Sequence, residues 1–280
     1  MKNKYVTEQS VEDFVSYLHS CEKSGNTVEK YRRDIRKLME YTSGKMLQKE
    51  TVIRFKETLS DSYALSSVNS IISAVNRYLS YVGLDEMRVK QYKLQKCLFC
   101  SPKKELTADE YFKLIEKAEE LGKERLSLLL QTLCSTGIRV GELKYITVES
   151  LEKGEVEVYL KGKRRIVFLI SRLREKLAEY AVRVKISSGA IFVTSKGNPI
   201  DRSNVWKAMK RLCLEASVSQ EKLFPHNLRH LFARTFYEID KDIAKLADIL
   251  GHSNINTTRI YTVSSGSEHE RLMEKMHLVK

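Results

Sequence analysis

The chain has 280 residues, 42% of them hydrophobic, which is enough for two domains with their own cores and too apolar for a disordered polymer. Lys and Arg number 49 against 36 Asp and Glu, a formal net charge of +13 that favours a polyanionic partner, nucleic acid ahead of an anionic membrane surface. No apolar run approaches the ~18 residues of a spanning helix, the basic start Met1-Lys2-Asn3-Lys4-Tyr5 leads into no apolar stretch, and the five cysteines (Cys21, Cys97, Cys100, Cys134, Cys213) are odd in number and scattered. These features argue against a secreted or membrane-inserted protein and for reduced thiols in a cytosol.

Only three prolines and twelve glycines interrupt the chain, so mostly helix is expected. Thr7 caps a first helix, with Val11, Phe14, Val15 and Leu18 at helical spacing. Gly25-Asn26-Thr27 break and cap a second. Its apolar face is Val28, Tyr31, Ile35, Leu38 and Met39, and Arg32, Arg33, Arg36 and Lys37 lie elsewhere on its surface. A third helix covers Val52, Phe55 and Leu59, and a fourth starts near Ser66-Ser67 and carries Val68, Ile71, Ile72, Val75, Tyr78, Leu79 and Val82. Four such helices make a small bundle.

Residues 83–104 lose the periodicity and carry Gly83, Pro102 and lysines at 90, 93, 96, 103 and 104, the pattern of an extended basic linker. Helices return over 108–121, where Thr107 and Glu110 fit a capping box, and over 124–135. The runs Val156–Leu160 and Arg165–Leu169 flank the turn Lys161-Gly162-Lys163-Arg164 and read as a hairpin. A third strand is expected at Ala190-Ile191-Phe192-Val193, ended by Lys196-Gly197-Asn198-Pro199. Further helices follow over 201–216, 226–237, 241–250 and 254–262. The fold class is mainly α with a small antiparallel β-sheet: an N-terminal helical bundle over 1–85, a basic linker over 86–104 and a mixed α/β domain over 105–280.

Several residues could carry chemistry, and each has a plainer reading. Arg139 follows Gly137 and has Glu142 three positions on. The pair is either a surface ion pair of little worth or a bidentate phosphate clamp whose guanidinium Glu142 orients. His226, Arg229 and His230 sit at i, i+3 and i+4 behind Pro225, which suits a first helical turn. They form either a solvated basic face or an anion site at a helix N-terminus. A metal site fits poorly, because no carboxylate or cysteine joins the group in sequence and an adjacent arginine repels cations. His252 follows Gly251 at a turn, and Tyr261 lies near the end of a short helix, where a lone tyrosine is usually an amphipathic rim residue. A free tyrosine has a pKa of about 10 and needs a base or nearby cations to act as a nucleophile. Lys161 and Lys163 flank Gly162 in the hairpin turn, as solvated decoration or as a proton donor to a leaving oxygen. Cys97 and Cys100 have zinc-type spacing without a second pair, so they read as ordinary thiols.

Taken in order, these residues resemble the tyrosine recombinase family, of phage integrase and Xer type. The resemblance is carried by Thr-Gly-Ile-Arg-Val-Gly-Glu-Leu at 136–143, His-Asn-Leu-Arg-His at 226–230, Leu-Gly-His at 250–252 and Thr-Thr-Arg-Ile-Tyr at 257–261. The stretch Thr27-Val28-Glu29-Lys30-Tyr31-Arg32-Arg33-Asp34-Ile35 is similar to the family's SAM-like core-binding domain, so the resemblance covers nearly the whole chain.

The resemblance implies a site-specific recombinase that cuts and rejoins DNA through a 3′-phosphotyrosyl intermediate, with no cofactor, metal or ATP. By it, Tyr261 is the nucleophile and Arg139 and Arg229 hold the non-bridging oxygens, with His252 completing the clamp. His226 assists proton transfer, and Lys161 is the general acid, with Lys163 the other candidate because the turn is shorter than the common form. Glu142 and His230 take supporting places. Arg32, Arg33, Arg36, Lys37, Arg77, Lys103 and Lys104 would contact the DNA backbone. The implied partners are double-stranded DNA with inverted-repeat core sites and further copies of the chain, a homotetramer in synapsis and a monomer or weak dimer in free solution, with accessory DNA-bending proteins. The C-terminal segment from about 266 would dock on a neighbouring protomer. The chain starts almost at the core-binding helices, so it is expected to lack an arm-binding domain, and a cytoplasmic protein encoded by a bacterium, phage or mobile element follows. Two other classes stay in view: a DNA-binding regulator that kept the fold without the chemistry, and a type IB topoisomerase that relaxes DNA without synapsis.

Overall fold

The computed structural model describes residues 4–94, 105–160, 163–252, 254–259 and 274–276, with the backbone alone at Leu160 and Lys163. The chain divides into two compact units, Met1–Lys96 and Cys97–Lys280.

The first unit is the four-helix bundle, α1 (Glu8–Ser20), α2 (Gly25–Thr42), α3 (Lys49–Ser62) and α4 (Leu65–Tyr81). Thr7 and Ser10 form a reciprocal capping box at α1. The second helix begins earlier than its breaker residues suggest. Ser24 is its N-cap and Gly25-Asn26-Thr27 form its first turn, with Ser24 Oγ 2.9 Å from Thr27 Oγ1. The apolar stripes close on a core around Phe14, Leu18, Ile35, Leu38, Ile72 and Val75.

The bundle does not stop where the periodicity does. Leu84, Met87 and Val89 are buried against it. Asn76 Nδ2 donates to Val89 O at 2.8 Å while Asn76 Oδ1 accepts from Val89 N at 2.9 Å, and Asn69 does the same with Tyr92, both at 2.8 Å. Each carboxamide presents a donor and an acceptor that match a peptide group, so two α4 side chains replace the strand partner this extended segment lacks. Residues 84–92, expected as the start of the linker, therefore belong to the first unit.

The second unit runs α5 (Ala108–Glu120), α6 (Glu124–Thr136), a 3₁₀ turn (Val140–Tyr145), α7 (Val148–Lys153), β1 (Glu155–Leu160), β2 (Lys163–Phe168), α8 (Ser171–Arg183), α9 (Arg202–Glu215), α10 (Pro225–Asp240), α11 (Ile243–Leu250) and α12 (Ile255–Thr258). The Thr107–Glu110 capping box forms at α5. Leu128, Leu129, Leu130 and Leu133 of α6 lie at the centre of the core.

Three expectations change here. In the antiparallel hairpin Leu160 pairs with Lys163, so β2 starts two residues earlier than read and the connection is 161–162 instead of 161–164. The third strand is absent among the described residues: Ala190 and Val193 make only isolated bridges, to Thr147 and Pro199. Ile191 and Phe192 are nonetheless buried, and a short apolar run does not by itself distinguish a strand from a buried connection. Helix α8, absent from the sequence reading, buries Leu173, Leu177, Tyr180 and Ala181 at helical spacing.

The hairpin register sets one functional feature. Val158 pairs with Arg165 and Val156 with Val167, so all four share the sheet face turned to the core. No helix among the described residues is long and apolar enough to cross a membrane.

Candidate active site

Two helix C-termini meet around one guanidinium. Helix α6 ends at Gly137, in the left-handed region at φ +61°, and a Cβ there would lie 2.6 Å from the Phe232 ring, so glycine is required for both backbone and space. Helix α11 ends at Gly251, also left-handed, with His252 N donating to Ala247 O at 2.9 Å. Helix α10 crosses both and opens with Pro225 at its first position.

Arg229 of α10 is only 1% exposed. Its Nη1 donates to Gly137 O, and its Nη2 donates to Leu250 O at 2.6 Å and to His252 Nε2 at 3.0 Å. Both carbonyls lie at helix C-termini, where backbone acceptors lack intrahelical partners and the helix dipole is negative. These helix ends thereby offset part of the buried positive charge. The sequence reading puts Arg229 on a solvated or phosphate-facing helix surface; the structure makes it also a tether between α6 and α11.

A guanidinium only donates, so His252 Nε2 accepts from Arg229 and the imidazole proton sits on Nδ1, donated to the buried Thr258 Oγ1 at 2.9 Å. Burial, with the charges of Arg229, Arg139 and Arg165, pushes the His252 pKa down to about 4. His230 falls to about 4 through burial, His226 and Arg234. His226 is exposed, its ring 4.7 Å from that of His230 in an edge-on contact. Lost hydration around the ring lowers its pKa first, then Arg229, Arg139 and Arg202. All three imidazoles are therefore mainly neutral at pH 7.

Arg139 leads into the 3₁₀ turn and keeps its side chain about a third exposed, at 34%. Its backbone N–H donates to Glu142 Oε2 at 2.8 Å and its Nη1 to Glu142 Oε1 at 3.1 Å. The Glu142 carboxylate is 3% exposed. Burial works against its ionisation, but the Arg139 amide and the charges of Arg165 and Arg139 outweigh that and hold its pKa below the usual carboxylate range. The second arginine on this carboxylate is Arg165, whose Nη2 donates to Oε2 at 2.5 Å and whose Nη1 donates to Ile249 O at 2.7 Å.

The structure thus brings Arg139, Glu142, His226, Arg229, His230 and His252 into one electrostatic neighbourhood. It adds Arg165, Thr258 and Arg202, which sequence reasoning passed over. Arg165 left one signal: a charge in phase with the inward residues Val167 and Leu169. Thr258 left none apart from its nearness to Tyr261. Lys161, Tyr261, Lys103, Lys104, Cys97 and Cys100 lie outside the described residues, as does the C-terminal segment from 266 except 274–276, and the Lys163 side chain is likewise outside them.

The basic face of the bundle is less available than its charge suggests. Arg32 pairs with Glu12 and Glu29, and Arg36 with Glu8 and Glu12, because α1 lays its acidic residues beside α2. Lys37 Nζ donates to Tyr63 Oη at 3.0 Å and Arg77 Nη2 to Tyr17 Oη at 2.7 Å, while Arg33 is exposed. Among the described residues no group of three His, Cys, Asp or Glu side chains is placed to hold a metal ion.

The chain thus has a helical-bundle unit and a mixed α/β unit, the second gathering Arg139, Arg165, Arg229 and three neutral histidines. Residues 104–268 match the phage integrase family and residues 11–83 the phage integrase N-terminal SAM-like domain. The chain belongs to the phage integrase family of tyrosine recombinases and is a site-specific recombinase by class. The tyrosine recombinase XerA of Pyrococcus furiosus is 30% identical over 290 residues, spanning 100% of this chain and 98% of that protein. The tyrosine recombinase XerD of Staphylococcus aureus is 27% identical over 296 residues, covering 96% and 99%. In fold, the chain is similar to the XerH site-specific recombinase in a post-cleavage complex with a palindromic difH substrate, at TM-score 0.72 and 22% identity over 99% of this chain and 91% of that one.

Proposed function

We propose that the protein recombines duplex DNA by cutting and rejoining strands through Tyr261, with a 3′-phosphotyrosyl intermediate and no metal or ATP. The observation that carries this reading is the convergence of Arg139, Arg229 and His252, held by the ends of α6 and α11, with His226 in the same field. In-line attack on a phosphodiester builds negative charge on the non-bridging oxygens, and fixed guanidinium groups in a poorly hydrated site offset that charge without reorganising. Neutral His226 is the base that assists removal of the tyrosyl proton. A lysine of the hairpin turn, Lys161 or Lys163, protonates the departing 5′ oxygen. The phosphotyrosyl ester conserves the bond, so a DNA hydroxyl can displace the tyrosine and rejoin the strand without a nucleotide.

The partner DNA carries inverted-repeat core sites, and recombination takes place in a homotetramer whose C-terminal segments couple the protomers. The net charge of +13 supplies the sequence-independent phosphate attraction. The site itself can be found by footprinting the protein on the DNA flanking its own gene. A nicked suicide duplex of that site should then trap a covalent protein–DNA adduct, and Tyr261→Phe should bind the duplex and form none. An adduct with Tyr261→Phe would show the nucleophile to be another residue.

A further inference from the structure

We propose that Arg165 is a positioning residue for strand cleavage: by sharing the Glu142 carboxylate and anchoring it to the end of α11, it leaves the Arg139 fork directed at the scissile phosphate. The proposal rests on the reading of Arg139 as a phosphate clamp. Glu142 is a buried anion with two cationic neighbours. Arg139 meets it through one guanidinium nitrogen, Nη1, and otherwise remains about a third exposed. Arg165, only 11% exposed, supplies the shorter contact, at 2.5 Å. Of the two guanidinium groups on this carboxylate, the closer is thus the buried one, which never has to reach the phosphate.

Removing Arg165 leaves this buried charge with a single guanidinium partner. Coulomb attraction in a poorly solvated site is strong, so Arg139 would turn inward onto Glu142 at the expense of the phosphate.

The second half of the contact is spatial. Arg165 Nη1 caps Ile249 O, and Arg229 Nη2 caps the next carbonyl, Leu250 O. Two arginines from different elements therefore hold successive carbonyls at the end of α11, two and three residues before His252. Gly251 lies under the Arg165 side chain, where a Cβ would be 2.5 Å from Arg165 Cδ, so the arginine stem and the helix end fit only with glycine. Arg165 consequently fixes the distance between the Arg139–Glu142 turn and the α11–His252 corner. Lysine cannot replace it, since an ammonium lacks the planar fork that spans a carboxylate and a carbonyl together.

In metal sites, loss of the residue that orients a ligating side chain costs roughly 10–100-fold, and a deficit of that order is expected here. The test measures single-turnover cleavage of the suicide duplex described above, with either a normal scissile phosphate or a methylphosphonate, in which a methyl group replaces one charged oxygen. Arg165→Ala should cut the phosphate substrate roughly 10–100-fold more slowly than wild type, with DNA binding retained. The deficit should shrink on the uncharged methylphosphonate, as should that of Arg139→Ala. The double variant should be no slower than Arg139→Ala alone, because the first residue acts through the second.

Wild-type cleavage by Arg165→Ala, or additive losses in the double variant, would overturn the proposal. Relief of Arg139→Ala without relief of Arg165→Ala would sink the positioning role alone. No relief of Arg139→Ala would remove the clamp reading and this proposal with it. Arg165→Lys keeps a cation beside Glu142 and carries the same comparison if the alanine variant does not fold.

Discussion

Truncating Arg229 to alanine should unfold the second unit far more readily than its place in a reaction scheme suggests. The side chain is 1% exposed, and its hydrogen bonds include those to Gly137 O, Leu250 O and His252 Nε2. Hydrogen bonds from charged groups contribute about 1.5–3 kcal/mol each. The three share one guanidinium and do not add in full. The loss should therefore be about 3–5 kcal/mol, the range for breaking a buried charged interaction and leaving its partners unpaired. The one tryptophan, Trp206, lies on α9 of the second unit, so its fluorescence follows the unfolding of that unit in the full chain. With a urea dependence of about 2 kcal/mol per molar, the midpoint should fall by about 1.5–2.5 M. A midpoint within about 0.5 M of wild type would refute the argument that Arg229 ties α6 to α11. Cleavage by this variant is informative only under conditions where the fluorescence shows it folded. Arg229→Lys should lie between, because it keeps a charge and loses the fork.

The histidines give a pH dependence with a defined sign. His230 and His252 titrate at about 4 in the folded protein, against about 6.5 unfolded. Between these values the unfolded chain binds protons that the folded chain does not, so stability is full above about pH 6.5 and falls as pH drops toward 4. The urea midpoint at pH 5 should be below that at pH 7, and His230→Gln should narrow the gap; an unchanged gap would assign it to other groups. Gly137→Ala should destabilise by about 2 kcal/mol or more, since a Cβ at φ +61° would press on the Phe232 ring, and an unshifted midpoint would contradict that crowding. Asn76→Ala should free the segment around Val89, which trypsin would then cut faster at Arg88 and Lys90; an unaltered digestion rate would mean that the asparagine contacts do not hold it.

The sequence carries most of the helices because their apolar residues recur at the helical period and their ends carry local signals, as at Thr7 and the Thr107–Glu110 box. It also carries the candidate site, since motifs at 136–143, 226–230 and 250–252 single out the proposed arginines and histidines. The failures share one cause. The segment 84–92 is held by amides of α4 that are distant in sequence, and the run 190–193 is buried without a ladder, so neither has a periodic signature. The ion pairs of Arg32 and Arg36 with Glu8 and Glu12 of α1 were likewise not legible, because those carboxylates lie on another helix.

Residue types and spacings thus determined, without coordinates, that this chain belongs among tyrosine recombinases and which side chains are candidates to meet a phosphate. Tertiary structure decided how those side chains are charged and held. Arg229 is a buried tether as well as a clamp candidate because two helix C-termini converge on it. His252 is neutral, with its proton on Nδ1, because Arg229 occupies Nε2. Arg165, which no motif marked, completes the site because hairpin register turns it inward onto Glu142. Burial and long-range hydrogen bonding set protonation and orientation, and both depend on neighbours that the linear order does not contain.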